Sequence, residues 1–139
     1  MPKQAKLYLP AGVNSSLTTF ANADGTTAKQ IFVAGANDTN LRFAQACSND
    51  TAAVNLQLFV RRAGTNYLLG TVNIPTLSGT NGTAAAKNLL NTTDLPGLCF
   101  DAVQHPILPL KAADELWAAP VSTITATKTV TVICTGDDF

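Results

Sequence analysis

The stretch Val54-Asn55-Leu56-Gln57-Leu58-Phe59-Val60-Arg61 decides the fold class. Val54, Leu56, Leu58 and Val60 alternate with Asn55, Gln57, Phe59 and Arg61, which is the period of two that a half-buried strand requires. Arg62, Ala63, Gly64, Thr65 and Asn66 follow as a connection, and residues 67–74 return as a second strand that Pro75 ends. The pair reads as a hairpin with a loop of about four to five residues.

The same signal spreads outward in both directions. Residues 125–135 alternate Thr125, Thr127, Thr129, Thr131 and Ile133 with Ala126, Lys128, Val130, Val132 and Cys134, a β-branched run suited to a pleated surface. Residues 29–34 place Ile31 and Val33 on one side and Phe32 on the other. Residues 41–47 set Leu41, Phe43, Gln45 and Cys47 against Arg42, Ala44 and Ala46, and the Leu41 and Phe43 side is expected to face the core. Ile107, Leu108 and Leu110 sit between prolines 106 and 109, which suits a short edge strand. Leu116 and the one tryptophan, Trp117, occupy a further apolar stretch before Pro120. Residues 14–27 are polar and read as a loop. Over residues 84–90 a short helix capped by Thr83 competes with an extended reading.

About eight short strands with at most one short helix indicate an all-β, antiparallel sandwich, and a jelly roll is a common closure at this length. The 139 residues fit a single domain, 1–139, large enough to bury about two thirds of the unfolded chain's surface without disulfides or metal. Lys6 to Leu9 alternate loosely before Pro10, Ala11 and Gly12, so residues 1–20 are expected as an extended N-terminal arm.

Composition narrows function. The chain is 46% hydrophobic and 13% charged, too apolar for a disordered protein. Nine Lys and Arg balance nine Asp and Glu, leaving no net field to draw phosphate backbones or anionic lipid, so no nucleic acid and no membrane partner is expected. No apolar run reaches the roughly 18 residues of a membrane span, and no signal peptide is evident, so synthesis in a cytoplasm is expected. Cys47, Cys99 and Cys134 are odd in number and widely spaced; they read as reduced, mostly buried thiols. Five Asn-x-Ser/Thr triplets, starting at Asn14, Asn37, Asn49, Asn81 and Asn91, read as turn chemistry.

The chemistry on offer is thin. His105, the single histidine, lies beside Pro106 in a loop, where a surface imidazole is the simpler reading than a general base. Asp114 with Glu115, and Asp137 with Asp138, are adjacent pairs, and neighbours on a strand point to opposite faces rather than sharing a proton or a metal. Neither the Asp38 nor the Asp50 region carries a calcium-loop pattern, and Gly79 and Gly82 lack the spacing of a phosphate cradle. No catalytic residue, cofactor or metal is expected. Arg61 and Arg62 form the densest basic spot and, with Lys87 or Lys111, could meet an acidic partner; a strand end meeting solvent is the plainer reading. Lys3, Lys6 and Tyr8 on the arm join Arg61 and Arg62 as candidate partner contacts. Trp117, Tyr67 and Phe59 could stack on a sugar, although aromatics at strand positions more often belong to a core.

The run Leu68-Leu69-Gly70-Thr71-Val72-Asn73-Ile74-Pro75, continued by Gly79 to Gly82, Asn88-Leu89-Leu90, Leu108-Pro109-Leu110, Lys128 to Val132 and the ending Thr135-Gly136-Asp137-Asp138-Phe139, resembles a group of small tailed-bacteriophage virion structural proteins. The similarity spans roughly the C-terminal two thirds, and its motifs are turns and strands, not catalytic signatures. The resemblance implies a capsid decoration (cement) protein with a jelly-roll sandwich, assembling as a homotrimer on the capsid surface and binding the major capsid protein. A neck, connector or tail component is the alternative within that class, and a carbohydrate-binding jelly roll is the alternative outside it.

Overall fold

A computed structural model describes residues 12–139, which form two antiparallel sheets packed as a sandwich. The elements are β1 (Gly12–Ala21), a 3₁₀ turn (Asn22–Asp24), β2 (Lys29–Val33), β3 (Thr39–Ser48), β4 (Val54–Arg62), β5 (Thr65–Ile74), β6 (Lys87–Asn88), β7 (Cys99–Phe100), β8 (Pro106–Leu110), β9 (Glu115–Pro120) and β10 (Thr129–Asp138). One sheet runs β1-β10-β3-β8-β7, with β6 also on β3, and the other runs β2-β9-β4-β5. The chain crosses between the sheets from β1 to β2, β2 to β3, β3 to β4, β5 to β6, β8 to β9 and β9 to β10.

The hairpin of β4 and β5 anchors the second sheet as the alternation demands: Val54, Leu56 and Leu58 are buried, and Val72 and Ile74 answer them from β5. Its connection is shorter than the sequence suggested. Strand pairing runs to Arg62 and Thr65, leaving a two-residue loop of Ala63 and Gly64, both at positive φ, as a tight hairpin turn needs. Phe20, Ile31, Phe32, Leu41, Leu89, Leu116, Ile124, Val130 and Val132 fill the space between the sheets.

Several expectations are revised, each for a local reason. Residues 14–27 supply most of a ten-residue strand instead of a loop, because β1 is paired along its whole length with β10. Residues 12–20 of the expected arm are therefore part of the sheet, while residues 1–11 lie outside the described residues. Leu41 is buried but Phe43 is 43% exposed, because the register with β10 slips between Thr135 and Gly136 and leaves Arg42 as an extra residue. A one-residue slip turns every later side chain over, so Ala44, Ala46 and Ser48 face the core beyond it. Gly136 makes the slip possible: a Cβ there would come within 2.8 Å of Thr39 Cγ2 and 3.0 Å of Phe32 Cζ. A similar irregularity between Gln30 and Phe32 turns both Ile31 and Phe32 inward and leaves Val33 exposed. Residues 84–90 contain the two-residue strand β6 and no α-helix.

Candidate interaction surface

Strand β1 inverts the usual pattern of a sandwich strand. Three of its polar side chains point toward the opposite sheet: Asn14 Nδ2 donates to the Val33 carbonyl at 2.7 Å, Ser16 Oγ donates to the Ile31 carbonyl, and Thr18 Oγ1 donates to the Gln30 carbonyl at 3.4 Å. These acceptors belong to β2, an edge strand of the opposite sheet, whose carbonyls on that side would otherwise need water. Of the apolar residues of β1, Val13 and Leu17 face out, 74% and 67% exposed, while Phe20, on the inward side with Asn14, Ser16 and Thr18, is buried in the core.

The strand register extends this outward apolar set across the sheet. Leu17 lies opposite Ile133, which lies opposite Gln45; Ser15 lies opposite Thr135, which lies opposite Phe43. Ile133 is 38% exposed, so Val13, Leu17, Ile133 and Phe43 form one outward surface among Ser and Thr side chains. Its charges gather at one end, where Asp137, opposite Val13, accepts from Arg42 Nη1 at 2.8 Å, and Arg42 also approaches Asp101 at 3.8 Å. Single exposed apolar residues are ordinary on a monomer; four of them on one face of three neighbouring strands make this face a candidate interaction surface.

The outer face of the second sheet carries a second row. Trp117 pairs with Phe59, and Phe59 with exposed Leu68. Arg61 stacks over the Trp117 ring at 4.5 Å, while the indole Nε1 donates to Glu115 Oε2 at 2.6 Å.

The structure separates the two arginines that the sequence presents as one basic spot. Arg61 lies on Trp117 beside Glu115, whereas Arg62 forks onto Asp114, donating from Nε at 2.8 Å and from Nη2 at 2.6 Å. Asp114 and Glu115 accordingly point to opposite sides, as adjacent strand residues should. The Arg62 side chain, 54% exposed on its outer surface, keeps contact with solvent. Lys3, Lys6 and Tyr8 lie outside the described residues.

Titratable groups are engaged structurally. His105 is exposed and lies 3.7 Å from Asp101, whose Oδ1 accepts from the amides of His105 and Val103. Those amide bonds, foremost that of His105, hold the Asp101 carboxyl below the usual carboxylate range. No group of three or more His, Cys, Asp or Glu side chains is placed to hold a metal among the described residues. Of the three free thiols, only Cys134 is buried, which pushes it up to about 12; Cys47 is half-buried and Cys99 exposed, so the expectation of mostly buried thiols is met at one position. No helix among the described residues is long and apolar enough to cross a membrane.

The sequence reading missed β1's outward residues because Val13 and Leu17 are separated by Asn14, Ser15 and Ser16, which suppress the apolar alternation; the signal was there at positions 13 and 17, on one face of an extended strand. No family model matches the chain, and no curated protein does. Among solved structures, a chain titled "Cyanophage Pam1 capsid asymmetric unit" is similar over 100% of both chains, at a TM-score of 0.47 and 17% sequence identity.

Proposed function

We propose that this chain is a bacteriophage virion structural protein, made in the host cytoplasm and working on the capsid surface as a decoration (cement) protein bound to the major capsid protein. The observation that carries the reading is the pattern of residues 13–18 of β1, where Asn14, Ser16 and Thr18 bond the carbonyls of β2 along the edge of the sandwich and Val13 and Leu17 turn to solvent. A monomeric enzyme or solution-phase binder gains nothing from that arrangement, whereas a subunit buried among neighbours does. The resemblance of residues 68–139 to small tailed-phage structural proteins supplies the class. The strand orders β1-β10-β3-β8 and β2-β9-β4-β5 support a jelly-roll connectivity, in which the chain passes repeatedly between two facing antiparallel sheets.

In this role the chain works without catalysis or cofactor, and its contacts are individually weak and repeated. Lys3, Lys6 and Tyr8, with Arg61 and Arg62 at the other sheet, are the proposed partner contacts. Self-association as a homotrimer would multiply such contacts on a capsid lattice through effective concentration. A sugar-binding role fits less well, since Arg61 already covers the Trp117 ring. The test is peptide mass spectrometry of virions purified from the phage that encodes the chain, before and after mild chelator and salt washes. Recovery of its peptides at a fixed ratio to the major capsid protein supports the reading. Absence from the particle overturns it, and enrichment with isolated tails moves the chain to the neck or tail.

A further inference from the structure

β1 pairs with β10 on one side only, so its other edge is open among the described residues. It is ten residues long and contains no Pro, Lys or Arg, the residues that commonly protect an edge from further pairing. Directly before it lies segment 1–11, Met1-Pro2-Lys3-Gln4-Ala5-Lys6-Leu7-Tyr8-Leu9-Pro10-Ala11. That segment carries Lys3 and Lys6 and no acid, whereas all nine acidic residues of the chain lie beyond it. Fully extended it spans about 36–40 Å, enough to run the whole length of a ten-residue strand.

We propose that residues 1–11 of a second copy of this chain add as a parallel strand to the open edge of β1, closing a ring of copies by exchange. The inference rests on the assembly role above and names its first partner. Charge sets the direction. Of the two carboxylates at this end of the sheet, Asp138 is held inward by Thr39 at 2.5 Å, and Asp137, opposite Val13 on the outer face, is bonded by Arg42 at 2.8 Å and can take a second cation beside it. A parallel strand with Lys3 beside Val13 brings its cation to that corner, and the same spacing of four residues then sets Leu7 beside Leu17. Lys3, Ala5, Leu7 and Leu9 share one face of an extended strand, so that face continues the surface of Val13, Leu17 and Ile133.

The chain's own segment cannot take this place as a parallel strand. A parallel pair within one chain requires a crossover of about a dozen residues or more, and residue 11 joins Gly12 directly. Folding back antiparallel would instead put Lys6 opposite Ser15 and Lys3 opposite Thr18, away from Asp137 and Asp138. Donation of each segment to the next copy around a ring leaves every β1 covered, the closed form of a head-to-tail contact.

The test is the solution mass of the full chain by light scattering, compared with Leu17→Asp and with the double variant Lys3→Glu/Lys6→Glu, each checked by circular-dichroism melting. The expected result is a closed oligomer for the unaltered chain, with the concentration at half-assembly raised tenfold or more in both variants and melting of the dissociated variants still cooperative. Should Leu17→Asp not fold, the double variant, altered only within segment 1–11, decides. A chain that is monomeric at all concentrations, including one whose segment folds onto its own edge, overturns the proposal, as does an oligomer that survives the double variant. An oligomer that behaves as expected but is missing from virions would strike the functional reading and leave this one standing.

Discussion

Asn14 donates from its side-chain amide to the main-chain carbonyl of Val33 at 2.7 Å, and so ties the edge strand of one sheet to the edge strand of the other. Ser16 and Thr18 repeat the contact at Ile31 and Gln30. The side of the sandwich between β1 and β2 is thus closed by a ladder of side chains.

Because each rung satisfies a carbonyl that water could also reach, each should contribute modestly. Ser16→Ala, in the middle of the ladder, is expected to cost about 1 kcal/mol, and Asn14→Ala/Ser16→Ala about 2 kcal/mol, read by urea unfolding. Hydrogen exchange of the β1 amides should accelerate in the double variant while that of β4 stays slow. Equal acceleration throughout would show that the ladder acts on the global fold instead of the edge.

Asp50 is the second tie, and a deeper one. Its buried carboxylate accepts from the amide of Thr125 at 2.9 Å, from the Thr125 hydroxyl at 2.7 Å and from the amide of Ala52 at 2.9 Å, fixing the loop before β10. Asp50→Ala orphans these donors and is expected to lose about 2–4 kcal/mol of unfolding free energy. Thr125→Val, which removes one donor, should lose less than half as much. A denaturant midpoint unchanged in Asp50→Ala would contradict this assignment.

Acid should unfold the protein through the same carboxylates. Arg62's side chain bonds Asp114 and holds its carboxyl below the usual range against the opposing effect of burial. Burial likewise pushes Asp50 up, but bonds from Thr125 and the amides of Ala52, Thr125 and Thr51 outweigh it and leave that carboxyl lowered. Groups depressed in the folded state contribute stability that is complete above the unfolded value of about 3.9 and is lost as pH falls through the folded value. Melting temperature is therefore expected to stay level, as far as these groups set it, from pH 7 to about 5 and to fall steeply below about 4. In Asp114→Asn the protein should start lower and fall less steeply, and an unchanged acid slope would remove Asp114 from the cause.

The thiols should separate by rate. Cys99 is exposed, whereas Cys134 lies in the core with its ionisation pushed up to about 12, so almost no thiolate is present at neutral pH. Under native conditions a maleimide is expected to label Cys99 first and Cys134 only on unfolding, as read by peptide mass spectrometry. Labelling of Cys134 at the rate of Cys99 would show that β10 opens locally.

The hairpin of β4 and β5 was legible because its two faces differ in chemistry: one meets the core and the other water, so the alternation at Val54, Leu56 and Leu58 is written directly in the sequence. The strand β10 was legible for the same reason at Val130 and Val132. β1 was not, since three of its inward side chains, Asn14, Ser16 and Thr18, are polar and bond carbonyls while Val13 and Leu17 face out, which blurs the code that alternation relies on. Phe43 falls off the expected core face, and Val33 parts from Ile31, because irregular register at Arg42 and between Gln30 and Phe32 shifts the phase, and a phase shift depends on partner strands that lie far along the chain. Arg61 and Arg62, adjacent in sequence, are divided by the strand pleat between Trp117 and Asp114. The candidate surface was therefore the least legible part, although each of its residues is plain once the register is known.

The most direct test of the central claim is co-sedimentation of the purified chain with phage heads that lack it, titrated to saturation. The expected result is saturable binding at a fixed ratio to the major capsid protein, weakened by Leu17→Asp. Heads that take up none of the chain at concentrations where it is folded and assembled would contradict the assignment to the capsid surface.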